Sequence, residues 1–153
     1  MPLTRRELCL LFPAAVIPSA MLSDAAIAAG SAGQDSSLPS ATFTFEQLPL
    51  NKDSGGGEFR PVLKGKLATG ESLEVHETML PPGGMPHPPH HHVHSEMWLV
   101  REGTVELTIN GTNHRIGQGG IGFVHSNDEH GIKNVGSTPA NYFVVAIGPG
   151  AGS

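Results

Sequence analysis

The sequence predicts an all-β fold, a single barrel or sandwich of short strands, and three observations carry that expectation. Glycine at 20 and proline at 13 of 153 residues exceed average usage, which favours many turns over long helices. Runs of alternating apolar and polar residues recur at close, regular spacing through the second two thirds of the chain. Between two such runs stands Asn110-Gly111, a pair that tolerates the positive φ angles of a two-residue type I′ hairpin turn.

Taken in order, the alternation predicts strands over residues 43–45, 62–68, 73–80, 97–101, 104–109, 112–116, 120–124, 130–135 and 142–147. In the hairpin, Val105, Leu107 and Ile109 recur at period two and face inward, leaving Thr104, Glu106 and Thr108 toward solvent or a second sheet. Residues 51–57 read as an exposed loop, and Pro81-Pro82-Gly83-Gly84 as a tight turn leaving a strand. No internal repeat is visible. One domain over residues 42–149 is expected, preceded by a small, polar, flexible leader over residues 30–41.

Residues 1–29 read as an export signal. Arg5 and Arg6 precede a mostly apolar stretch over residues 8–22, and Ala25, Ala26, Ala28 and Ala29 follow. Pro13 and Pro18 interrupt the apolar stretch, which falls short of the roughly 20 residues a spanning helix requires, so no stable membrane anchor is expected. Thr4-Arg5-Arg6-Glu7-Leu8 resembles a twin-arginine signal, with an ordinary secretory signal as the alternative. Either route makes the protein periplasmic or secreted. Cleavage after Ala28 or Ala29 would remove Cys9, the only cysteine, and leave imidazole and carboxylate as the strong metal ligands. The formal charge of −5, with no basic cluster longer than two residues, argues against nucleic acid as a partner.

Five of the nine histidines fall between His87 and His94. His90 and His92 stand at i and i+2, so on an extended segment both rings project to one side and reach one ion. Glu96 shares their parity and adds an anionic oxygen, and Gly103 stands where a hairpin must turn before Thr104. Three such ligands leave a metal site incomplete. Further on, Gly119, His130 and Asn134 are separated by ten and three residues, and His130 opens an alternating strand.

These two spacings resemble the paired motifs of the cupin superfamily. The resemblance spans roughly residues 58–148 and implies a single-domain cupin jelly-roll β-barrel. It also implies one divalent metal ion held inside by His90, His92, Glu96 and His130. The first motif matches at every defined position. The second departs: the family's turn carries Pro and Gly five and three residues before its histidine, where this chain has His125 and Asn127. Asn127 can adopt the left-handed backbone that a Gly would supply.

Trp98, Phe123, His125 and Tyr142 are the expected pocket-lining residues. His87, His91 and His94 are expected to be exposed loop or strand histidines, with a second, weaker surface metal site as the alternative. His76 and His114 are read as surface or satisfied core positions. Three imidazoles and a carboxylate leave positions open on a six-coordinate iron, manganese, nickel or zinc ion. That set points to a metal-dependent dioxygenase or related enzyme acting on a small enol, catechol or hydroxy-carbonyl compound. The alternative is a non-catalytic binding protein for a sugar, a small acid or the metal itself. Cupins commonly dimerise through their sheets, so the resemblance also implies a homodimer.

Overall fold

The computed structural model describes residues 37–54 and 56–153, and the residues read as an export signal, with most of those read as a leader, lie outside them. Nine strands follow one another: β1 Asn51–Lys52, β2 Glu58–Lys66, β3 Ser72–Leu80, β4 Ser95–Glu102, β5 Thr104–Ile109, β6 Thr112–Gly117, β7 Ile121–Val124, β8 His130–Asn134 and β9 Ala140–Ile147. They form a six-stranded sheet in the order β1-β2-β3-β9-β4-β7 and a three-stranded sheet in the order β6-β5-β8. All pairings are antiparallel. This is the expected jelly-roll arrangement.

The β5–β6 hairpin forms as its turn residues dictate. Asn110 and Gly111 take φ values of 47° and 78°, and Ile109 pairs with Thr112 across the turn. Val105 and Leu107 are buried on its inner face, where they meet Leu80, Trp98, Val124, Ile132, Tyr142 and Val144 from the other strands. Gly103, which turns the chain from β4 into β5, has φ 79°, and a Cβ there would lie 2.7 Å from Ala140 Cα. Only glycine meets both demands.

Two expectations are corrected near the start of the domain. Residues 43–45 form no strand; a single 3₁₀ turn, Phe45–Gln47, stands there, with the Thr44 backbone N–H donating to the Gln47 side chain at 3.0 Å. That turn lays Phe45 against Arg60, whose guanidinium sits 4.3 Å from the ring centre. Residues 51–52, read as loop, pair with Glu58 and Phe59 as the edge strand β1. Backbone pairing also starts ahead of Thr42, since the Leu38 N–H donates to the Lys66 carbonyl at 2.7 Å.

Candidate metal centre

His90 and His92 do not lie on a regular strand, contrary to the reading from parity. They belong to the segment that leads into β4, and backbone hydrogen bonds to the second motif hold that segment in place. The His90 N–H donates to the His130 carbonyl at 2.9 Å, and the His130 N–H donates to the His90 carbonyl at 2.8 Å. The Asn127 N–H donates to the His92 carbonyl at 2.8 Å, and the Ser126 hydroxyl donates to the Val93 carbonyl at 2.7 Å. Asn127 adopts φ 66°, the left-handed conformation that turns its N–H toward the first motif.

The four expected ligands come together. Ligand atoms of His90, His92 and His130 all lie within 4.8 Å of one another, and the three could hold an ion. Glu96 Oε1 is 3.3 Å from His92 Nε2, and Oε2 is 3.5 Å from His130 Nε2. Ligands about 2.1 Å from one ion and roughly at right angles stand about 3 Å apart, close to these separations.

The protonation pattern also fits a cation. His92 Nδ1–H donates to the His94 carbonyl at 2.9 Å, and His130 Nδ1–H donates to the Asp128 carbonyl at 2.9 Å. A carbonyl can only accept, so in the neutral ring the proton is on Nδ1 and Nε2 carries the lone pair. Those two Nε2 atoms and His90 Nδ1 are buried without a hydrogen-bond partner. Buried polar atoms are rarely left so, and three converging beside a carboxylate are what a metal site requires.

His94 is a correction. Expected as an exposed histidine, it is largely buried, with Nε2 at 3.4 Å from Glu96 Oε1. His92, His94 and Glu96 also group closely enough to hold an ion. The rings of His92 and His94, however, stack at 3.5 Å and only 13° from parallel. Imidazole lone pairs lie in the ring plane, so these two run side by side and do not converge. The geometry therefore favours the set of His90, His92 and His130, with His94 bracing Glu96. His91 is exposed, as is His87, although the His87 ring meets His90 edge-on at 4.2 Å.

Charge follows this geometry. Burial pushes the Glu96 carboxyl up, but the nearby His130 and His92 imidazoles outweigh it and hold the carboxyl below its ordinary value. Burial pulls the His130 imidazole down, yet Glu96 and the Asp128 carbonyl hold it above the ordinary histidine value. His90 is lowered by burial and by His87, and His94 by burial and by His92.

The cluster opens on a cavity of about 280 Å³. Trp98 and Tyr142 line it, and burial raises the Tyr142 phenol well above its ordinary value. Phe123 and His125 do not line it: Phe123 is 55% exposed on the outer face of β7, and His125 is exposed in the turn that follows. Sequence reasoning missed His76 and Thr78 on β3 and Asp53 and Glu58 near β1, all of which reach the cavity. The signal for the β3 pair is the even register of residues 76, 78 and 80, which puts His76, expected as a surface or satisfied core position, and Thr78 on the face that carries Leu80.

Over residues 76–146 the sequence matches the family described as Cupin_2, the cupin domain. No curated protein matches it. Among solved structures, an RmlC-like cupin from Shewanella frigidimarina superposes with a TM-score of 0.61 at 20% identity, over 72% of this chain and 94% of its own. A predicted oxalate decarboxylase from Thermotoga maritima gives 0.61 at 20% identity, over 71% and 99%. A sugar phosphate isomerase of the cupin superfamily from Silicibacter pomeroyi gives 0.58 at 17% identity, over 69% and 74%. Likeness at such identities speaks to fold. The domain has the cupin fold, and the family match spans both motifs.

Proposed function

We propose that the protein is an exported, metal-dependent enzyme, an oxygenase or close chemical relative, acting on a small enol, catechol or hydroxy-carbonyl compound. The observation that carries this reading is the trio of buried, unpartnered imidazole nitrogens beside Glu96, opening on a cavity sized for a small molecule. A divalent ion held there would supply Lewis acidity and, if iron or manganese, redox capacity toward oxygen. Backbone carbonyls fix two of the three imidazoles, those of His92 and His130, and Trp98, Ile132 and Val144 wall the cavity with apolar surface. The enzymatic activities named for the Thermotoga and Silicibacter neighbours support a catalytic reading of such a barrel.

Elemental analysis of protein taken from its native compartment, joined to turnover assays on catechols and hydroxy-ketones, tests the proposal. His92→Ala and Glu96→Ala should abolish both bound metal and turnover while the barrel still folds; undiminished turnover in metal-free protein would refute it. A second reading, metal sequestration without turnover, draws on the five histidines between His87 and His94. It requires more than one equivalent of bound metal, reduced when His87, His91 and His94 are replaced together.

We further propose a homodimer, formed through the outer face of the larger sheet. Ile121 and Phe123 on the edge strand β7 are 61% and 55% exposed, and they pair laterally with Leu99 and Met97. An apolar face of this kind on an edge strand is one that soluble proteins usually cover.

A further inference from the structure

We infer that Glu74 and His76 form the cavity's proton acceptor, facing the metal cluster, and that the ligand arrives uncharged and gives up its proton there. The inference rests on the functional reading above and adds a group that chemistry needs and the ligand cluster lacks.

His76 Nδ1 lies 2.9 Å from both carboxylate oxygens of Glu74. The two side chains are 20% and 15% exposed, so the pair is substantially withdrawn from solvent. A carboxylate accepts only, which places the proton on Nδ1 and leaves Nε2 as the ring's basic atom. The imidazole lines the cavity, steadied by the Phe59 ring at 4.7 Å. A carboxylate that fixes the tautomer and stabilises the imidazolium is the arrangement by which histidine acts as a general base.

Sheet register puts the pair within reach of the cluster. His76 pairs with Val144, and Val144 pairs on its other side with Trp98, so the three share one inner row of the sheet. Two strand spacings separate His76 from Trp98, about 10 Å between their backbones. The Trp98 ring lies 5.5 Å from that of His130, and Glu96 is the next inward residue along β4. All four of these side chains border the same cavity. A ligand of a few heavy atoms spans such a gap.

The lining explains why a base is required. Among the described residues it includes Asp53, Glu58 and Glu96 but neither lysine nor arginine. Apart from the ion itself, a dianionic phosphate or dicarboxylate would find no cationic side chain of lysine or arginine to recognise it. An uncharged hydroxylic ligand fits, and it enters with its proton in place. The step is then a proton transfer without redox change: the O–H bond of the ligand hydroxyl nearest His76 breaks, its electron pair stays on that oxygen, and a new N–H bond forms at His76 Nε2. Nδ1–H remains on Glu74.

The test uses folded protein carrying one equivalent of zinc, which is redox-inert, with unsubstituted catechol, still uncharged at the pH of the assay, as the probe. Proton release on binding is followed in weakly buffered solution near pH 8, alongside metal content and the probe's absorbance. Wild type should retain about one proton per bound probe that His76→Gln releases to solvent. Both proteins should hold the same amount of zinc. Glu74→Gln, which keeps the ring, should show the same shift toward release in part. For any substrate the enzyme turns over, His76→Gln should lower kcat by about 100-fold or more. Equal proton release from wild type and both variants would overturn the assignment while leaving the metal reading intact. Failure of zinc-loaded wild type to bind the probe would overturn the functional reading, and the inference with it.

Discussion

The backbone N–H of Asn127 donates to the carbonyl of His92 at 2.8 Å, so a residue of the second motif positions one of the histidines proposed to hold the metal in the first. That bond depends on the φ of 66° at Asn127. Asn127→Gly should therefore be tolerated, whereas Asn127→Val places a β-branched residue where it is strained by about 1 to 2 kcal/mol. The valine variant should also bind metal about 10-fold more weakly, as loss of a supporting contact to a ligand usually does. Thermal melts and a metal titration of both variants check this, and equal affinity in the two would show that the turn does not govern His92.

In metal-free protein, Glu96 and His130 should titrate in opposite directions from their ordinary values of 4.5 and 6.5. The lowered carboxyl contributes stability that is present above pH 4.5 and lost as pH falls through its folded value. The raised imidazole contributes stability that is full below pH 6.5 and lost as pH rises through its folded value. The stability gap between wild type and Glu96→Gln should accordingly be widest between about pH 4.5 and 6.5 and shrink on both sides. Denaturant melts across pH measure it. Metal requires neutral His130, so ion affinity should climb with pH through the raised imidazole value.

Ile121 and Phe123 sit on the outer face of an edge strand, away from the cavity. Phe123→Glu, alone or with Ile121→Glu, should shift sedimentation to the monomer without altering metal content. A monomeric wild type would remove the dimer proposal. The wild-type face buried in a dimer also predicts that the double variant is more soluble than a variant of the interior.

Much of this architecture was legible because it is written in local chemistry. Asn110-Gly111 specifies its turn from two residues, and the spacing of His90, His92, Glu96 and His130 picks out four side chains that the fold brings together, without any knowledge of the path between them. The failures share a cause. Period two divides a strand into faces but does not say which face is inside, so His76, expected as a surface or satisfied core position, lines the cavity together with Thr78. Phe123 was misplaced for the converse reason, as an aromatic that points outward from a sheet edge. His94 has the parity of the ligands, yet its stacking on His92 depends on a bend that parity arguments do not contain. Residues 43–45 alternate like a strand, but Phe45 is better satisfied against the Arg60 guanidinium than in a ladder.

The reciprocal backbone pair between His90 and His130 joins two of the nitrogen donors through their own main chains, although 40 positions of sequence separate them. Their loss of chain freedom is therefore met when the barrel forms, before any ion arrives. Capture then asks for little more than the expulsion of protons and water. A centre built this way should fill quickly at low ion concentration and select by ligand chemistry, with little help from rearrangement of the fold.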